Sequence, residues 1–259
     1  MTNLLRMFGR RLRRDKVFYL IIAIVALVSL FISLTNASSM IEWQKAGEDV
    51  ALEDCYYNLA PLLGVAFAAY ISLFLGVEHS DGTLRNRIVA GHSRISIMMS
   101  AFVISTVACL CIIVVFLGCS LPGLYWFKSF DFGWSGYWMA AAVIGCSALL
   151  YAAIFAVISI MTSNKAAAAV LALVTWFCML FIGSIIVNSL AVPVGSAQDI
   201  GGVTRTVMEV FNHILPICPV IRASNSEFTG AGLDIIGSLG ATAAVLIFGC
   251  LAFRKKDLK

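Results

Sequence analysis

Residues 78–94, EHSDGTLRNRIVAGHSR, are the one markedly polar interruption inside the long apolar middle of this 259-residue chain. Their spacing suits recognition more than bond-making. Ser80 or Asp81 is placed to cap a helix, Thr83 to Ala90 can carry it for about two turns, and Gly91 suits a left-handed stop. Ser93 offers a fresh cap where the next apolar run begins at Ile95, so the helix stands between two runs and extends neither. At about 12 Å it is too short to cross a bilayer. Leu84, Ile88 and Val89 give it an apolar side, Arg85 and Arg87 point elsewhere, and Asp81 can pair with Arg85 at helical spacing. Such a helix is suited to docking into another protein. The plainer reading is a basic loop that obeys the positive-inside rule.

Other chemistries lack their residue patterns. No Gly-Lys dipeptide occurs, so a Walker A phosphate loop is absent and the chain is not a motor of that kind. There is no HExxH helix and no GxSxG elbow, and the sequence offers no metal-ligand spacing. His79, His92 and His213 divide between opposite sides of the membrane, and His213 reads as structural. The apolar runs carry no Asp, Glu, Lys, Arg or His well inside them, where an ion-coupled carrier needs such groups to bind and release its ion. A translocated molecule would therefore meet an apolar or aromatic surface. Phe67, Tyr70, Phe74, Phe177 and Phe181 are candidates for it, against the plainer reading of core packing or lipid contact. The eight cysteines read as small apolar packers; Cys55 and Cys218 fall in segments placed outside, where spacing does not support a disulfide.

The elements that position these residues follow from composition. Hydrophobic residues make up 61% and charged residues only 12%, and with a mean hydropathy of +0.95 this is an integral membrane protein. Spans are predicted at about 17–34, 59–77, 95–117, 137–161, 166–190 and 233–253, forming one membrane domain over 1–259. Pro122 with Gly123 should break the third. Ala148, Ala152 and Ala156 allow close approach on the fourth, and the short Thr162–Lys165 turn should make the fourth and fifth antiparallel neighbours. Before the first span, Leu4, Leu5, Phe8 and Leu12 share one side of a helix. Arg6, Arg10, Arg11, Arg13, Arg14 and Lys16 crowd the rest, the pattern of an amphipathic interfacial helix attracted to anionic lipid.

Charge fixes the expected topology. With the N-terminus inside, fourteen of the eighteen Lys and Arg residues lie on the inner side, and an even number of spans returns the basic C-terminus there as well. The net charge of +4 thus reports membrane orientation, and nucleic-acid binding is not supported. On the outer side, Asn36–Asn58 reads as an acidic, partly helical cap. Val207, Val210, Phe211, Ile214 and Leu215 predict an amphipathic or re-entrant helix with a kinked return at Pro216 and Pro219.

Glu78, then Gly82-Thr83-Leu84-Arg85, Ile88 and Ala90-Gly91-His92-Ser93-Arg94, resembles in order and position the cytoplasmic signature of type-2 ATP-binding-cassette permeases. The resemblance implies an all-α integral membrane protein. It would have six transmembrane helices, the N-terminal amphipathic helix, a short cytoplasmic coupling helix between spans 2 and 3, and an extracellular re-entrant helix before span 6. It implies a permease subunit of an exporter in a cell membrane, bacterial by its short loops, with both termini cytoplasmic. Power would come from a separate cytosolic ATPase subunit that holds the ATP and Mg; this chain itself would bind no cofactor. A second permease subunit, identical or paralogous, would complete the pore. Gly82, Thr83, Arg85, Arg87, Gly91 and Arg94 would form the ATPase-coupling interface and Glu78 would brace the helix against neighbouring basic residues. The substrate classes implied are drug, peptide or bacteriocin, lipid or sodium. A non-transporting membrane anchor or sensor that recruits a cytosolic partner is the alternative, and an ion-coupled carrier a third.

Overall fold

The computed structural model describes residues 2–45, 59–80, 82–126, 134–193, 201–225, 227–228 and 230–255. In chain order the helices are α1 (Thr2–Leu12), α2 (Lys16–Lys45), a single 3₁₀ turn (Ala60–Leu62) leading into α3 (Leu63–Ser80), α4 (Thr83–Val89), α5 (Arg94–Trp126), α6 (Trp134–Met161), α7 (Lys165–Leu190), α8 (Gly202–Ile214), α9 (Ile217–Ser224) and α10 (Ala231–Lys255). No strand occurs among the described residues. Among the described residues six helices, α2, α3, α5, α6, α7 and α10, are long and apolar enough to cross a membrane, and the apolar runs anticipated each of these spans to within three residues at either end. In hydrocarbon a helix is the natural outcome for such runs, because it satisfies every backbone N–H and C=O internally.

The bundle is built around α6, which packs on α10, α5, α3, α9 and α7. Its Ala148, Ala152 and Ala156 are all fully buried. Between apolar helices in lipid there is little hydrophobic drive, so close backbone approach and the dispersion it gains hold them together. Glycines on the neighbours extend the same device: a β-carbon at Gly249 of α10 would lie 2.4 Å from Val157 Cγ2. The turn at 162–165 does bring α7 back beside α6, with Asn164 Oδ1 accepting from Ala166 N at 2.9 Å as its cap. Yet α7 rests chiefly on α3. Gly64 and Gly76 explain that choice, since β-carbons there would lie 2.2 Å from Trp176 Nε1 and 3.2 Å from Lys165 Cα.

Two proline expectations are corrected. α5 runs through Pro122 to Trp126, because a proline near a helix end removes one hydrogen bond without ending an otherwise apolar helix in lipid. Pro219 likewise sits inside α9, third in its first turn, where backbone N–H groups have no partner within the helix anyway. The break before α9 falls at Leu215, held extended (φ −72°, ψ 125°) by Pro216 behind it. α9 is wedged into the end of the bundle against α6, α7 and the 3₁₀ turn, with Ile217, Cys218, Val220 and Ala223 buried. α8 has the opposite relation to its surroundings. Val203, Val207, Val210 and Phe211 are exposed while Asn212 is buried, so its apolar face turns away from the protein, where a membrane would meet it.

Candidate functional site

Local sequence shapes both ends of α4. Its N-cap is Gly82, in the left-handed region at φ 64°, and no side chain caps the helix. The expected cap at Ser80 or Asp81 is therefore replaced by a backbone turn that glycine adopts without strain. Asp81, and with it the expected pair to Arg85, lies outside the described residues. Thr83 turns its hydroxyl back to α3 and donates to Glu78 O at 3.1 Å and Glu78 Oε2 at 2.8 Å. At the other end Gly91 sits at φ 86°, Gly91 N donates to Ile88 O at 3.0 Å, and His92 N donates to Arg87 O at 3.1 Å, which closes the last carbonyls. Ser93 Oγ then accepts from Ser96 N at 3.2 Å and opens α5.

Glu78 is the centre of the site. Its side chain is only 3% exposed, at the last turns of α3, and each oxygen meets a guanidinium. Arg11 of α1 donates to Oε1 and, through Nη2, to Phe74 O at 3.1 Å; Arg87 of α4 pairs with Oε2 at 2.5 Å. Aromatic faces complete the cage, with Arg11 4.7 Å above the Phe74 ring and Arg87 4.4 Å above the Phe8 ring. A buried carboxylate costs several kcal/mol unless charge-assisted hydrogen bonds replace its water, and here two guanidiniums and a hydroxyl do so. One carboxylate thus ties α1, α3 and α4 into a unit.

This arrangement corrects several sequence expectations. Arg87 is turned inward, its side chain 12% exposed, and does not point away from the apolar side. Val89 is 81% exposed and leaves that side to Leu84 and Ile88. Arg11 does not join the outward basic crowd. It sits three residues after Phe8 on the stripe Leu4, Phe8, Leu12, whose three apolar members are buried in the protein, so it is carried onto the docked face. Arg94 donates to Phe253 O at 2.9 Å and Arg254 O at 3.0 Å, placing a cation at the carbonyl end of α10 and fastening α5 to it. Of the seven residues singled out, Glu78, Thr83, Arg87 and Arg94 are engaged with neighbouring elements, whereas Gly82, Arg85 and Gly91 are exposed. All of these groups, with Lys165 beside Gly76, gather at one end of the bundle.

The five aromatic candidates do not converge. Phe67, Tyr70 and Phe74 are buried core residues, Tyr70 stacking on Phe74 at 5.5 Å and meeting Phe18 of α2 at 5.1 Å. Phe177 and Phe181 are 64% and 68% exposed on α7. One set therefore faces the packed interior and the other faces away from it. An apolar cavity of about 290 Å³ lies instead between α2 and α3, lined by Val25, Val28, Leu62, Ala66 and Phe116 among others. Ser72 of α3 donates to Ala68 O of its own helix at 2.6 Å.

A second charged cluster occupies the opposite end and was not anticipated. Asp234, in the first turn of α10, accepts from Arg222 of α9 and lies 2.5 Å from His213 Nδ1 of α8. Arg222 and Asp234 are both buried. Arg205 extends the same fastening by donating to Val192 O at 3.1 Å and Leu190 O at 3.3 Å, beyond and at the end of α7. The available signal was a carboxylate at the mouth of an apolar span, which has to find a cation. Burial pushes the Cys218 thiol of α9 up to about 12, against the pull of Arg222 nearby. Cys218 is a free thiol, and Cys55 lies outside the described residues. Among the described residues no group of three His, Cys, Asp or Glu is arranged to hold a metal ion.

Comparison with known proteins gives one family. A family model described as ABC-2 family transporter protein matches residues 9–182, which takes in α1 from Gly9, the first four spans, α4 and most of α7. No curated protein matches the chain.

Proposed function

Because this chain belongs to the ABC-2 transporter family, as a membrane permease of an ABC transporter, we propose that it is the membrane-spanning subunit of an exporter worked from below by a separate ATPase. ATP and Mg are held by that partner, and this chain supplies the path. Two permease subunits form the working pair, both termini lie in the cytoplasm, and the cargo is a drug, a peptide or bacteriocin, a lipid or sodium. The membrane is a bacterial cytoplasmic membrane.

The observation that carries this reading is the Glu78 cage. α4 is a seven-residue helix, far too short to be stable alone, yet Leu84, Thr83 and Arg87 lock it to the ends of α1 and α3. A force applied to its exposed side, at Gly82, Arg85, Val89 and Gly91, therefore moves spans and is not absorbed in a slack loop. Packed elements with discrete arrangements pass such displacements on. Gly91 is the hinge to α5: its φ of 86° strains any residue with a β-carbon, although the space around it is open.

The test is reconstitution of the chain with its ATPase in vesicles. Gly91→Val should insert normally but lose ATP-driven flux while ATP hydrolysis continues. Flux and stimulated hydrolysis both unchanged would overturn the hinge. Partner binding without any flux in the unmutated complex would instead favour an anchor, and gradient-driven flux without the ATPase an ion-coupled carrier.

A further inference from the structure

We infer that the chain holds an anionic glycerophospholipid headgroup in a basic pocket among the ends of α2, α3 and α7. The pocket has a volume of about 410 Å³, with Arg14, Lys16 and Lys165 around it and Leu73, Phe74 and Val77 in its floor. Its cations come from two places far apart in sequence, the approach to α2 and the first residue of α7. Gly76 holds the second in position, since Lys165 Cα lies 3.2 Å from where its β-carbon would be.

The charge balance favours an anion. Arg11 also borders the pocket but is committed to Glu78. Asp15 offsets one of the three remaining cations, and its Oδ1 already accepts from Val17 N at 2.9 Å as the cap of α2. Arg14, Lys16 and Lys165 are exposed, which suits groups that await a ligand at the membrane surface. The apolar floor distinguishes a lipid from a soluble phosphate. One helical turn beyond Lys16 on the same side of α2, Leu20 is 60% exposed, where an acyl chain attached to the headgroup would lie. A phosphodiester with two apolar tails matches both halves of this surface; a free anion matches one. The inference does not depend on the exporter reading, since an anchor with the same fold would hold the lipid equally.

The experiment is native mass spectrometry of the purified full chain, titrated with phosphatidylglycerol and with phosphatidylcholine. Each basic side chain at a membrane surface is worth about fivefold in affinity. Arg14→Gln/Lys16→Gln/Lys165→Gln should therefore lose on the order of 100-fold of its preference for phosphatidylglycerol. The control Arg6→Gln/Arg10→Gln/Arg13→Gln removes the same charge from exposed positions that do not line the pocket, and should lose about tenfold less of that preference, because in the purified chain only side chains facing the bound headgroup contribute fully. Equal losses in the two variants, or an unchanged preference in the first, would overturn the pocket. Displacement of the lipid by glycerol 1-phosphate at equal concentration would overturn the lipid assignment in favour of a soluble phosphate. Should the triple variant aggregate, Lys165→Gln alone decides, with about a fivefold fall expected and no fall refuting the site.

Discussion

Glu78→Gln is the substitution that most directly interrogates the cage. It keeps the shape of the side chain but removes the charge and turns one acceptor into an NH₂ group facing a guanidinium. The structure sets the magnitude. Glu78 is almost fully buried and Arg87 is 12% exposed, so the Arg87 guanidinium would be left under the Phe8 ring without a counter-charge. Breaking a buried pair from one side costs about 3–5 kcal/mol. The lower end applies, because Arg11 is 32% exposed and water can reach it. A seven-residue helix has no stability of its own, so nearly all of that loss, about 3 kcal/mol, should appear in the local opening of α4. Hydrogen exchange in lipid nanodiscs reads this at the amides of Asn86, Ala90, Gly91 and His92, whose acceptors all belong to the helix or its cap. Their exchange should quicken roughly 150-fold, with amides in the middle of α6 unaffected. Glu78→Gln/Arg87→Gln should be milder than the sum of its single variants, because the orphaned cation is gone. Less than threefold faster exchange, or strict additivity, would refute the assignment of Glu78 as the clamp on α4.

Two further outcomes follow from the opposite end of the bundle. Gly237→Ala places a β-carbon 2.3 Å from the His213 carbonyl oxygen, a backbone atom that cannot swing aside, whereas Gly240→Ala meets open space. The first should destabilise the protein by about 1–3 kcal/mol and the second should not, as compared by thermal unfolding in detergent. Cys218, with its thiol pushed up to about 12, should resist N-ethylmaleimide at pH 8 and react only after unfolding, as mass spectrometry would show. The sign is fixed by linkage: the unfolded thiol loses its proton first, so the contribution of Cys218 to stability is complete below about pH 9 and is lost as pH rises towards about 12.

The sequence by itself determined what depends on chain-local physics. Run length and hydropathy placed six spans, and Gly91 and Ser93 marked where α4 stops and α5 starts. The apolar side Leu4, Leu5, Phe8, Leu12 is legible as one face of α1, but the sequence alone puts it at the lipid interface, and Leu4, Phe8 and Leu12 are instead buried in protein. What it left open was rotation of each span about its axis. Helices such as α3 and α7 are apolar all round, so periodicity does not separate a face that meets lipid from one that meets protein. Phe74 and Phe181 look alike in sequence, yet one is buried and the other exposed. Only the packed bundle decided that Glu78 would pair with Arg11, sixty-seven residues away, and that Arg87, not Arg85, would turn inward. It likewise brought Arg222 and His213 to Asp234. Charges near the ends of apolar helices have to find partners, but which partner is a property of the helix neighbours, set by the close approaches that Gly64, Gly76, Gly237 and Gly249 allow.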